Sequence, residues 1–102
     1  SNKWGSGTTR NVQAVAETPA NIPPSATAVL LNTTVNGTTA GSFLTVYPDG
    51  AVLPLASNLN WVTGQTVANA VTSKVGTGGR IKVRNDAGST HVIMDVYGYY
   101  GP

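Results

Sequence analysis

The sequence predicts an all-β fold: an antiparallel β-sandwich or jelly roll of about seven strands, with a closed β-barrel as the alternative. Three observations predict it. Only 10% of the residues are charged, and the polar side chains come mainly from Thr, Asn and Ser, which suit pleated strands and tight turns. Turn signals recur at short intervals along the chain. Between them, apolar and polar residues alternate with the period of two that is typical of a strand.

The turn signals contain Gly, Pro, Asn or Asp and leave runs that are too short for ordinary helices. They lie at residues 18–24, 36–37, 48–50, 64–65, 76–79 and 85–88. A length of 102 residues favours one domain. We predict a flexible linker or tag remnant at residues 1–8, a single β-sandwich domain over residues 9–100, and a boundary at residues 101–102.

The alternating runs place seven strands in chain order. They are expected near residues 9–16, 28–35, 41–47, 58–61, 66–75, 80–84 and 90–97. In the longer runs one face carries the residues that are predicted to line the core. These residues are Val29, Leu31, Thr33, Val35, Leu44, Val46, Val67, Asn69, Val71, Ser73, Val75, Ile81, Val83, Val92, Met94 and Val96.

The predicted strand over residues 66–75 contains the one helix candidate and a polar residue on its core side. Residues 65–74 are the one helix candidate because of Ala68 and Ala70, but the β-branched Val and Thr residues there favour a strand. Asn69 falls on the core side of that strand, and a buried amide needs hydrogen-bond partners. We therefore expect Asn69 to bond the backbone of residues 57–60.

Five segments in order resemble a repeat module of exported proteins from actinobacteria and their phages. They are IPPSATAV at 22–29, LTVYP at 44–48, SNLNW at 57–61, GQTVAN at 64–69 and STHVIMDVYGYY at 89–100. The resemblance covers roughly residues 9–100 and implies an exported accessory domain, not an enzyme. The family opens with an Arg-rich segment that ends in Asp-Thr-Arg, whereas residues 4–10 here are WGSGTTR. The resemblance therefore implies that the first strand is missing, replaced or supplied by another chain.

The sequence carries no pattern for catalysis. Of its four carboxylates, Glu17, Asp49 and Asp86 lie in or beside turns, where short acids bond nearby backbone. His91 and Asp95 share a strand face but lie about 13 Å apart, out of reach for a catalytic dyad. The absence of cysteine removes thiol nucleophiles and cysteine-based zinc sites. We predict no enzyme, no metal site and no cofactor.

A row of three basic residues is the sharpest local feature. Alternation places Arg80, Lys82 and Arg84 on one strand face. A hairpin to the next strand predicts Arg84 opposite His91 and Arg80 opposite Asp95, an ion pair of roughly 0.2–1 kcal/mol. The row is interpreted as a solvated face that keeps an edge strand from aggregating, or as a contact for an anionic polymer or an acidic subunit.

The aromatic side chains raise the possibility of stacking on a sugar. The outward-facing candidates include Phe43, Tyr47 and Tyr97, whereas Trp61 is expected to close one end of the core. Together with the basic row they give the predicted ligand or partner face. Its residues are Arg80, Lys82, Arg84, Tyr47, Trp61 and Tyr97.

These observations predict a non-catalytic structural or interaction module of a secreted, cell-surface or virion-surface protein. The alternative is a carbohydrate- or cell-wall-binding domain attached to a hydrolase. The expected partner is another protein subunit, a second copy of the chain, or a cell-wall or polysaccharide surface. Nucleic acid is not expected, because three strand charges lack interleaved aromatics. Membrane insertion is not expected, because no apolar run approaches the length of a transmembrane helix.

Overall fold

Residues 3–14 and 22–101 are described in a computed structural model, and they form two antiparallel sheets packed around one core. The strands are β1 (Thr9–Gln13), β2 (Ala28–Asn36), β3 (Ser42–Pro48), β4 (Leu59–Trp61), β5 (Val67–Lys74), β6 (Arg80–Asn85) and β7 (His91–Tyr100). One sheet has the order β1-β6-β3-β4 and the other β5-β2-β7. The predicted antiparallel sandwich of seven strands is therefore confirmed. The alternative of a closed barrel is wrong, since the strands divide into two separate sheets.

The observed strands lie close to the ranges that were predicted between the turn signals. The predicted strand over residues 66–75 is β5, so the helix alternative there is excluded. The first strand ends at Gln13, and the rest of its predicted range at residues 15–16 lies outside the described residues, as does Glu17. Within the described part of the chain, no helix has the length and apolar character needed to cross a membrane.

Strand β2 forms the centre of the core. It lies between β5 and β7, and its residues Val29, Leu31 and Val35 are completely buried against the opposite sheet. Leu44 of β3 and Ile81 of β6 face them and are also completely buried. Since each strand contributes every second side chain, the two sheets share one apolar layer, and its burial is the main stabilising contribution.

Strand β3 differs from the prediction because both of its faces are covered. Thr45 and Tyr47 point away from the core, yet both are buried. The segment at residues 49–58 is held to β3: Thr45 Oγ1 donates to the Ala56 carbonyl at 2.7 Å, and Val46 N donates to Asn58 Oδ1 at 2.7 Å. This segment acts as a third layer that strand alternation alone does not predict.

The predicted hairpin between β6 and β7 is wrong. Strand β6 pairs with β1 and β3 in one sheet, whereas β7 pairs with β2 in the other. Residues 86–90 therefore cross between the sheets, and the predicted Arg80–Asp95 pair does not form, because Arg80 pairs with Asp49. Two strands that face each other across a core show the same alternation as two neighbours in one sheet. The sequence pattern could not separate these two arrangements.

The predicted linker at residues 1–8 is also corrected over its described part. Trp4 is buried in the core and exchanges two backbone hydrogen bonds with Thr90, at 2.7 and 3.1 Å. The Arg10 guanidinium lies 4.6 Å from the centre of the Trp4 ring, a cation–π contact. Asn85 N donates to the Thr8 carbonyl at 2.9 Å. This segment follows the crossing at residues 86–90 from one sheet to the other.

Asn69 partly confirms its prediction. Its Nδ2 donates to the Asn58 carbonyl at 3.0 Å, inside the expected segment at residues 57–60. The side chain is exposed at the rim of the sandwich, however, and not buried between Val67 and Val71. This hydrogen bond joins β5 to the segment at residues 49–58, which we call the covering segment.

Replacing Thr33 by valine is expected to stabilise the fold. Thr33 is completely buried between Leu31 and Val35, and its Oγ1 has no hydrogen-bond partner in the described structure. Because a buried unpaired hydroxyl is costly, Thr33→Val should raise the free energy of unfolding by about 1 kcal/mol in urea denaturation. The same change at the exposed Thr72 serves as control and should have little effect. A loss of stability in Thr33→Val would show that the hydroxyl is paired.

Candidate functional site

The basic row lies where alternation predicts it. Ile81 and Val83 are completely buried, whereas Arg80, Lys82 and Arg84 lie on the outer face of the four-stranded sheet. Strand β6 is not an edge strand, since it lies between β1 and β3. The interpretation of the row as protection of a sheet edge therefore does not apply.

Two carboxylates neutralise most of this row. Arg80 Nε lies 2.9 Å from Asp49 Oδ2, and Lys82 Nζ lies 3.4 Å from Asp49 Oδ1. Arg84 Nη1 lies 3.0 Å from Asp86 Oδ1. Three cations and two carboxylates leave one net positive charge. The row therefore presents little attraction to a polyanion, because the charges that would bind it are already paired.

The position of Asp49 is set by a close approach of two turns. A Cβ at Gly76 would collide with the Asp49 backbone, so the two segments can meet only because position 76 is glycine. Thr77 N donates to the Asp49 carbonyl at 2.9 Å, and Asp49 N donates to the Arg80 carbonyl at 3.1 Å. The hydrogen bond from Arg80 lowers the pKa of Asp49, with a further lowering by Lys82, whereas partial desolvation opposes the shift.

The lowered pKa of Asp49 predicts a pH-dependent contribution to stability. A carboxyl whose pKa is lower in the folded chain stabilises the fold above its ordinary pKa of 3.8, and this contribution is lost as the pH falls through the lower folded value. Urea denaturation should therefore show wild type more stable than Asp49→Asn at neutral pH. The difference should shrink below pH 3.8. A difference that is constant down to the most acidic conditions would contradict this assignment.

A groove of about 520 Å³ opens beside the basic row, and we call it the outer groove. Its lining includes Phe43 and Thr45 of β3, Leu53 and Leu55 of the covering segment, and Arg84 of β6. Its volume is within the range of small-molecule and side-chain binding sites, roughly 300–1,000 Å³. Leu55 is fully exposed to solvent.

The outer groove combines its apolar walls with a few hydrogen-bonding groups. Asn60 of β4, Ser57 and the Arg84–Asp86 ion pair contribute amide, hydroxyl, guanidinium and carboxylate groups to its lining. The backbone N–H groups of residues 52, 53 and 55–57 donate no hydrogen bond to the described part of the chain. The groove therefore offers both apolar surface and free donors to an incoming molecule.

The six residues of the predicted ligand face do not form one surface. Tyr47 lies beside Lys82 on the outer face but is only 7% exposed. Trp61 is 5% exposed and donates from Nε1 to the Ala40 carbonyl at 3.0 Å, as its expected role in the core requires. Tyr97 is 59% exposed but belongs to the other sheet. Of the six, only Arg84 lines the outer groove.

The covering segment was not singled out from the sequence. Residues 51–56, AVLPLA, are apolar, and they include Val52, which is 90% exposed. The signal was an apolar run interrupted by Pro54, directly after a Pro-Asp-Gly turn and without alternation. Such a run cannot be a central strand, because proline lacks the donor that a sheet requires.

No protein-family model matches the chain, and comparisons with curated proteins and with solved structures find no match either. The resemblance to exported actinobacterial and phage modules therefore stays a prediction.

Proposed function

We propose that this chain is a non-catalytic interaction module of a secreted, cell-surface or virion-surface protein, acting through protein–protein or surface contacts. The observation that carries the proposal is the exposed apolar segment at the outer groove, where Val52 and Leu55 extend into solvent. Contiguous exposed apolar surface beside a groove is typical of interaction sites. The non-catalytic part of the proposal is supported by Asp49 and Asp86, because both carboxylates are engaged in ion pairs with basic side chains.

The proposal is tested by changing one exposed aliphatic side chain. The purified chain is immobilised, and retention of proteins from a surface extract of the source cells or virions is measured for wild type and Leu55→Asp. Retention should fall about tenfold or more in the variant, because a charge replaces apolar contact area. Val62→Asp is the matched control, since Val62 is 67% exposed and does not line the groove. Equal retention by all three proteins would contradict the proposal.

A second candidate function is carbohydrate binding in the outer groove. Phe43 offers a ring for the apolar face of a sugar, while Asn60 and Asp86 offer a donor and an acceptor for hydroxyl groups. Sedimentation with peptidoglycan and with insoluble polysaccharides tests it. Retention that is lost in Phe43→Ala and kept in Tyr97→Ala would favour the sugar. Tyr47 and Trp61 are unsuitable probes, because both are buried and their loss would disturb the fold.

A further inference from the structure

Strand β7 has a long edge that no other strand covers in the described structure. It is ten residues long and pairs with β2 on one side only. Its core-facing residues Val92, Met94 and Val96 pack against the core but stay partly exposed, unlike those of β2. An uncovered edge of this length is a template for strand addition.

Among the described residues, the segment around Trp4 covers the start of this edge. Trp4 N donates to the Thr90 carbonyl, and Thr90 N donates to the Trp4 carbonyl, in an antiparallel bridge. The backbone groups of Thr90 therefore point away from β2. Since these groups alternate along a strand, those of Val92, Met94 and Val96 point to the same free side.

The bonds of β7 to β2 agree with this alternation. Up to Asp95, the backbone groups of the odd-numbered residues of β7 should bond β2. The register shift between Leu30 and Leu31 inserts one residue into β7, so after Val96 the even-numbered residues should bond β2. Accordingly, the Tyr100 carbonyl accepts a hydrogen bond from Thr27 N at 2.8 Å, on the β2 side. The free edge thus has three consecutive donor–acceptor positions, at Val92, Met94 and Val96.

The outer face of this edge carries one unpaired charge. Asp95 is exposed, lies opposite Asn32 and forms no ion pair with the described residues. It lies beyond Ile93, which is half exposed. A strand added here would place a side chain directly opposite Asp95 on the outer face and apolar side chains on the core face.

We propose that β7 accepts, from Val92 to Val96, an antiparallel strand of a partner protein that continues the ladder begun by Trp4 and Thr90. The partner segment is extended, with apolar side chains at every second position and a basic side chain opposite Asp95. This inference goes beyond the proposed function, because β7 belongs to the three-stranded sheet and does not line the outer groove. The added strand would cover the half-buried side chains of β7 and extend the three-stranded sheet to four strands.

The test uses the hexapeptide acetyl-Thr-Val-Lys-Val-Thr-Val-amide, whose lysine falls opposite Asp95 in the antiparallel register. Amide hydrogen exchange of the full chain is followed by NMR with and without the peptide at millimolar concentration. In the free chain the amides of Val92, Met94 and Val96 should exchange faster than that of Ile93, which bonds β2. Peptide should slow these three by about tenfold, because they gain acceptors. A peptide with proline in place of its second valine should have no such effect.

The expected pairing of Asp95 with a basic side chain is tested by reversing both charges. Asp95→Lys should bind the lysine peptide more weakly and should bind a peptide with glutamate in place of lysine better than wild type does. Edge amides that are already protected in the free chain, or exchange rates that the peptide does not change, would overturn the strand site. If retention of surface proteins still depends on Leu55 in that case, the interaction function stands and only the strand site fails. If neither the protection of β7 nor the Leu55-dependent retention is observed, both the strand site and the interaction function are overturned.

Discussion

Replacing Asn85 by leucine is expected to lower the free energy of unfolding by about 3 kcal/mol, because three carbonyl groups would lose their shared donor. Asn85 is completely buried, and its Nδ2 donates to the carbonyls of Trp4, Gly5 and Gly88 at 3.3, 3.1 and 2.9 Å. Its Oδ1 accepts from Ser42 Oγ at 3.2 Å. One amide therefore joins the N-terminal segment, the crossing at residues 86–90 and β3.

Urea denaturation of Asn85→Leu against wild type measures this loss. Asn85→Asp should be at least as destabilising, because a carboxylate cannot donate and would face three carbonyl oxygens. Asn32→Ala is the control, since Asn32 is exposed on β2, and it should change stability by less than about 0.5 kcal/mol. A stability for Asn85→Leu equal to that of the control would show that the amide does not join these segments.

Replacing Trp4 by alanine is expected to lower the free energy of unfolding by about 3–5 kcal/mol, the range for removing a large aromatic side chain from a core. Trp4 belongs to the core cluster, and its ring carries the Arg10 guanidinium. Thermal and urea unfolding should therefore both shift strongly. Trp4→Phe should lose clearly less, because it keeps much of the apolar volume. Unchanged stability in Trp4→Ala would restore the view of residues 1–8 as a linker.

The sequence predicted the strands well because the alternation and the turns are local signals. Strand β2 is an example: Val29, Leu31, Thr33 and Val35 were expected on one face, and all four are buried. The outward direction of the basic row on β6 was predicted for the same reason. These inferences depend only on the two-residue period of a strand.

The arrangement of the strands was not predictable from the same signals. The alternation of β6 and β7 is compatible with a hairpin and with a crossing between sheets, and contacts with distant residues, such as those of Asn85 and the Trp4–Thr90 bridge, hold the crossing. The glycine and serine residues around Trp4 suggested a flexible linker. Burial of the Trp4 indole, however, outweighs the conformational entropy that these residues lose when the segment is ordered.

The candidate site was predicted least well because it depends on contacts between distant segments. Tyr47 was expected to face a ligand, but it is buried on the outer face beside Lys82. The outer groove forms only where the covering segment, β4 and Arg84 meet. No single run of residues reports such a meeting point.

The central claim is that the outer groove is the interaction site. It is tested by hydrogen–deuterium exchange of the chain, with and without the surface extract whose proteins the chain retains. The backbone amides of residues 52, 53 and 55–57 donate no hydrogen bond to the described structure, so they should exchange rapidly in the free chain. We expect binding to slow the exchange of these amides and to leave that of the amides around Val62 unchanged. Protection that appears only elsewhere, with residues 52–57 still exchanging freely, would contradict it.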